Sequence, residues 1–254
     1  MCGRFTLYAD DQELVRLFNI DVVEGEHGES FNEAPSQLIR SVRTKSDEQR
    51  ELDLMKWGLV PFCAKDSFKP LINARAETVT EKPAFKTATS KRRCLIPTNG
   101  YYEWKVRPDG KKQPYFLSLA TDDGVSAAPG SEPIVAMAGI FDWPSREERE
   151  KESEWQQGEL GAEETAPVIV APTSAIITRA ATDTLGHIHD RMPLFIPRSA
   201  WNDWLNPELT DLDEIRALID GIGTPPIAPR KVGLAVGNVR NNKPDLIFPV
   251  TDPD

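Results

Sequence analysis

What most constrains this chain is how its apolar residues are packaged. They come in short runs, among them LMKWGLV, KRRCLIP, PYFLSLA, PIVAMAGIF, APVIVAPTSAIIT and KVGLAVGN, each cut off by Pro, Gly or Asn. Runs of that length between turn formers read as strands, because Pro removes a backbone donor while Gly and Asn accept the dihedral angles of tight turns. Helical spacing is confined to a few places. In ADDQELVRLFN, Leu14, Leu17 and Phe18 share a face behind Asp10 and Asp11, and SAWNDWLN and LTDLDEIRALI are amphipathic, the latter with a Thr and Asp start. A strand-rich α+β protein with a few short helices is expected. No repeat or linker divides the 254 residues, so a single domain over 1–254 is expected. It carries two inserted loops, a small Gly-rich one near 121–133 and a Glu-rich one near 144–167, neither with apolar residues for its own core.

Composition excludes several classes. Cys2, Cys63 and Cys94 form neither a disulfide framework nor a CxxC metal pattern, so a reducing compartment, no metal and no cofactor are expected. There is no signal-like N-terminus and no apolar run approaching the ~18 residues of a membrane span. A soluble, cytoplasmic, monomeric protein without a membrane partner follows. The net charge of -10 argues against a nucleic-acid partner until its distribution is read. From Lys56 to Lys112 thirteen basic residues face five acidic ones, a local balance of +8, whereas Ser145 to Thr165 supplies -5. Clustered Lys and Arg are what phosphate binding requires, although a solvated surface spread over several strands is the plain alternative.

Four clusters join ionisable or amide side chains to turn or strand residues: MCGRF at 1–5, NARAET at 73–78, GYYEW at 100–104 and HDRMP at 189–193. Singly they are weak. An isolated His189 is more often structural than catalytic, Asn73 could cap a turn, and Arg75 could pair with Glu77. Glu103 among aromatic residues has the environment that raises a carboxyl into the working range of a general acid or base. Cys2 is different in kind. Removal of Met1 would leave it with both a free α-amine and a thiol, a pair that no internal cysteine has.

In the order MCGRF, FNEAPSQ, MKWGLVP, NARAET, RRCLIPTNGYYEW, HDRMP and VGNVRNNKPDLI, the chain closely resembles the SRAP family (SOS-response-associated peptidase), which shields abasic sites in single-stranded DNA. The resemblance runs from Met1 to about Pro249. It implies a compact strand-rich fold with a basic cleft, and single-stranded DNA containing abasic sites as the partner. It also implies that the trimmed Cys2 forms a thiazolidine with the ring-opened aldehyde. The chemistry is sound: reference pKa values of about 7.7–8.0 for the amine and about 8.5 for the thiol leave a usable fraction of each nucleophilic near neutrality.

The same resemblance implies a catalytic set of Cys2, Asn73, Glu103 and His189. Glu103 would handle the amine and departing water, His189 would act on the sugar with possible strand scission, and Asn73 would orient the open sugar or the cysteine backbone. His187 is the competitor for the histidine role. Arg75 and Arg4 are expected phosphate contacts; after NARAET the sequence departs from some relatives and reads VTEKPAFK, which leaves Lys82 or Lys86 as a further one, and Trp57, Phe62, Tyr101 and Trp104 are candidates for base stacking, of which no more than two are expected to meet DNA. Cys63 and Cys94 are expected to be inert, Cys94 as a small buried side chain. The rival readings are an N-terminal-nucleophile thiol peptidase or amidohydrolase, an ammonia-producing glutamine amidotransferase among them, and a module that only holds single strands.

Overall fold

The computed structural model describes residues 2–45, 48–65, 67–143, 171–181 and 187–250; the Glu-rich stretch near 144–167 lies outside them. In chain order the first elements are β1 (Phe5–Leu7), α1 (Asp11–Phe18), β2 (Val22–Val23), β3 (Ser30–Glu33), β4 (Leu38–Thr44), β5 (Arg50–Trp57), β6 (Asn73–Arg75) and α2 (Pro83–Lys91). Then come β7 (Arg93–Thr98), β8 (Gly100–Val106), β9 (Lys112–Leu119), β10 (Val135–Asp142), β11 (Thr173–Ala180), β12 (Arg191–Pro193), β13 (Phe195–Ile196), α3 (Trp201–Leu205), α4 (Leu212–Gly221) and β14 (Ile227–Lys231). The strand-rich α+β class expected from the apolar runs is the class observed.

The strands make two sheets. The smaller has the order β14-β9-β8-β1-β3. In the larger, β11 pairs antiparallel with β10, and the path β10-β7-β4-β5 returns to it, because β5 also pairs with β11 in parallel at Thr173 to Lys56 and Ser174 to Trp57. A closed path has no free edge there to template aggregation. Both faces of these strands are buried, which is why PIVAMAGIF is apolar throughout instead of alternating. Ala136, Ala138 and Ile140 point into a cluster with Phe18, Trp204 and Ile215 of the helices, and Met137 and Phe141 point into another with Phe5 and Tyr101 of the smaller sheet.

All three helices expected from the spacing are observed, two with side-chain caps and α3 without one. Asp10 accepts the Glu13 N–H at 2.7 Å to start α1, and Asp211 accepts from Asp213 and Glu214 to start α4. Two elements differ from expectation. KVGLAVGN is not a strand: β14 ends at Lys231 and Leu234–Gly237 forms a 3-10 turn whose Val236 carbonyl accepts from Arg4 at 2.9 Å. α2 was not anticipated, and it begins with Pro83, whose fixed φ and missing N–H suit a first helical turn.

The loop near 121–133 is tied down at its end. Glu132, 4% exposed, accepts from Arg230 at 2.8 Å, from the Gly130 N–H at 2.8 Å and from the Tyr8 hydroxyl. Removing one partner of a buried ion pair leaves the other uncompensated. Glu132→Ala should therefore cost about 3–5 kcal/mol in chemical denaturation, and a loss below ~1 kcal/mol would show that Arg230 finds its compensation elsewhere.

Candidate active site

The site begins with the route of the N-terminus. β1 lies between β3 and β8, with Phe5 opposite Tyr101, and the Tyr102 N–H donates to the Arg4 carbonyl at 2.9 Å. This lays MCGRF alongside GYYEW. Gly100 has to be glycine for the close approach, since a Cβ there would come within 2.8 Å of the Leu117 carbonyl oxygen. Alternation along β8 then sorts its side chains. Tyr101 joins the cluster containing Cys2, whereas Tyr102 and Trp104 pack on the other face with Phe116 and Val236. Glu103, two residues from Tyr101, lies on the Cys2 side and is 4% exposed.

β6 brings the third motif. It pairs in parallel with β11, Asn73 beside Ile176 and Arg75 beside Thr178, with Ala74 buried between them. The Asn73 side-chain amide donates to the Cys2 carbonyl at 2.7 Å. Cys2 is thus held at its backbone while its side chain is fully buried among apolar residues. Burial is the main reason its thiol is pushed well above the ordinary cysteine range, and the charge of Glu103 pushes the same way. The Arg4 backbone N–H pulls against both. Tyr101 is likewise raised, by burial first and then by Cys2 and Glu103.

The HDRMP segment supplies the fourth. The Arg191 N–H donates to His189 Nδ1 at 3.0 Å, which places the proton of the neutral imidazole on Nε2. Asp190 Oδ1 lies 2.9 Å from the same Nδ1, a partner for the imidazolium. The Arg191 guanidinium grips Glu77 with two bonds of 2.7 and 2.9 Å and thereby fastens HDRMP to NARAET. Glu77 accordingly pairs with Arg191, not Arg75, and its carboxyl is held below the usual range mainly by that bond. Arg216 of α4 adds bonds to the Ala76 and Glu77 carbonyls at 2.6 and 2.9 Å. Neither arginine stood out in the sequence, although Arg191 lies inside a quoted motif. His187 is exposed.

The structure revises several of the expected DNA contacts. Trp57 is fully buried, its Nε1 donating to the Ile72 carbonyl at 2.9 Å and its ring edge-on to Phe5 at 5.2 Å, so it has no face for a base. Tyr101 is 1% exposed. Trp104 is half-buried on the face away from Glu103. Arg4 is half-buried and spends Nη1 on Asn32 Oδ1 and Val236 O, tying the N-terminus to the VGNVRNN segment. Arg75, Lys82 and Lys86 are exposed, as is Phe62. Within the basic segment, Arg93 is internal, bonded to the carbonyls of Thr89, Ser90, Trp204 and Asn206, and burial pulls its guanidinium down to about 10. Among the described residues no group of three or more His, Cys, Asp or Glu side chains is placed to hold a metal ion.

A buried cysteine held at its backbone by an asparagine, beside a buried carboxylate on a strand-rich frame, marks out the candidate site. The chain belongs to the SOS response associated peptidase (SRAP) family, whose profile matches residues 1–239. It is 33% identical over 252 residues to the Bacillus subtilis protein named abasic site processing protein YoqW, covering 97% of this chain and 99% of that one. Identity to the Escherichia coli protein named abasic site processing protein YedK is 31%, with 98% and 100% covered. A crystal structure of a Bacteroides thetaiotaomicron protein has the same fold, with a TM-score of 0.72 at 23% identity over 98% of this chain and all of that one.

Burial separates the thiols. At neutral pH a thiol reagent should modify exposed Cys63 quickly, and buried Cys2 and Cys94, both raised by burial, only slowly and faster as pH rises. Equal labelling of all three in the folded protein would contradict the burial of Cys2.

Proposed function

We propose that this protein captures abasic sites in single-stranded DNA as a covalent thiazolidine formed by Cys2 after Met1 is removed. The observation that carries the reading is the Asn73 amide on the Cys2 carbonyl at 2.7 Å, with Glu103 buried on the same side. It fixes the cysteine by its backbone and leaves the amine and thiol for chemistry. The names of the YoqW and YedK relatives support the substrate class.

With the Met1 peptide intact, the Cys2 nitrogen is an amide and cannot add to an aldehyde. Once it is free, its lone pair attacks C1′ of the open sugar to form a C–N bond, the carbonyl oxygen takes a proton, and water leaves to give the Schiff base. The sulfur then adds to the same carbon and its proton passes by way of the Glu103 carboxylate to the nitrogen, so one water is lost overall. A thiol kept protonated by its surroundings suits this order, amine first and sulfur second. His189 serves the preceding step: with Nδ1 accepting from the Arg191 N–H, its Nε2–H hydrogen-bonds the sugar ring oxygen as the C1′–O4′ bond breaks, while the C1′ hydroxyl proton passes through water to that oxygen. Arg75, Lys82 and Lys86 meet phosphates.

The thiol environment also weighs against the peptidase reading. A cysteine that attacks an amide needs an electropositive setting that lowers its pKa, whereas Cys2 lies in an apolar cluster beside an acid.

A strand bearing one abasic site, followed over time on a denaturing gel, tests the proposal. Wild type should give a heat-stable shifted band. Cys2→Ala should give none, while still yielding a Schiff base trapped by borohydride. Glu103→Gln should slow the band about 100-fold. A heat-stable band of equal yield from Cys2→Ala would overturn the mechanism.

A further inference from the structure

Tyr101 and Tyr102 are neighbours on β8 and both are buried, yet their hydroxyls differ. Tyr102 donates to the Phe31 carbonyl at 2.9 Å, and half-buried Tyr8 donates to Glu132. Among the described residues the Tyr101 hydroxyl meets no hydrogen-bond partner, although the side chain is 1% exposed. Its ring is packed on apolar neighbours: Phe5 and Leu117 stand opposite it on β1 and β9, and the Phe195 ring lies 6.0 Å away. None of these side chains accepts a hydrogen bond. A buried hydroxyl with no partner destabilises a fold that phenylalanine would serve as well, so the group calls for a partner that arrives with the reaction.

What lies beside it is the reacting pair. Glu103 follows two residues along the same face of β8, about 7 Å on, and Cys2 belongs to the same apolar cluster. Burial raises the Tyr101 hydroxyl, and the charges of Cys2 and Glu103 raise it further, so the phenol stays protonated wherever the amine and thiol react. It is a donor there, never a base. The Cys2 sulfur already has one donor, the Arg4 backbone N–H. A second is useful when the sulfur gives up its proton, because negative charge then develops in apolar surroundings beside a carboxylate.

We propose that Tyr101 is a further catalytic residue, whose hydroxyl donates a hydrogen bond to the Cys2 sulfur as the thiazolidine ring closes. The sulfur–carbon bond forms on the Schiff-base carbon, the thiol proton passes by way of Glu103 to the nitrogen, and Tyr101 keeps its own proton throughout. A donor idle at rest and engaged only as charge develops favours the transition state over the ground state. The inference rests on the capture chemistry above and assigns the closing step a residue of its own.

Tyr101→Phe removes only the hydroxyl, so the variant should fold and melt no lower than wild type. Protein lacking Met1 is mixed with glycolaldehyde, an aldehyde that needs no DNA, and in parallel with an abasic strand, with borohydride present to trap the Schiff base. Intact mass then separates the reduced adduct from the closed ring. In Tyr101→Phe total adduct should form at the wild-type rate, while the ratio of trapped Schiff base to ring rises about 10-fold, the worth of one hydrogen bond. An unchanged ratio, equal slowing of both products, or a lower Tm would overturn the role of Tyr101. No ring from wild type with either aldehyde would overturn it together with the capture chemistry. If the abasic strand gives no product while the glycolaldehyde ratio still depends on the hydroxyl, the DNA reading fails and the role of Tyr101 stands.

Discussion

The structure depends on the edge that β11 offers after pairing with β10. Along one length that edge takes β5 in parallel and closes the larger sheet; two residues on it takes β6. The chain between must leave and return, so the loop 58–72 projects there. It starts at Gly58, whose φ of +142° favours glycine, with its N–H on the Ser174 carbonyl at 2.8 Å. A single shared edge thus sets the position of Asn73, and through it the Cys2 carbonyl.

Placing a cysteine inside an apolar cluster has a cost and, in the proposed chemistry, a use. Burial raises the Cys2 thiol and suppresses thiolate, which would be a defect in a thiol peptidase. For an aminothiol that closes onto an electrophile already bound by its amine, the same burial keeps the sulfur reduced, protonated and close at hand. In the proposed capture, Glu103 on the adjoining strand, buried like the thiol, would be the proton acceptor where water alone would be scarce.

Much of this was legible in the sequence because it rests on local rules. Asp10 and Asp211 cap α1 and α4, and alternation in GYYEW puts Glu103 and Trp104 on opposite faces. What was not legible depends on partners distant in the chain. Trp57 looked like an available aromatic, but its fate is set by the Ile72 carbonyl and Phe5. The strand-like KVGLAVGN was turned by Arg4 and Asn32 reaching its Val236 carbonyl from the opposite end of the sequence. Glu77 found Arg191, more than a hundred residues on, instead of the nearby Arg75. Arg93 added to the apparent basic stretch while serving inside as a carbonyl clamp. Charge counted along a chain does not say which charges reach the surface.

The most direct test of the central claim is the intact mass of the covalent product formed with a single-stranded oligonucleotide carrying one abasic site. The account predicts the mass of the protein lacking Met1 plus the oligonucleotide less one water, with the bond mapped to Cys2. A product that retains Met1, a bond at another residue, or no covalent product from a trimmed and reduced protein would contradict it.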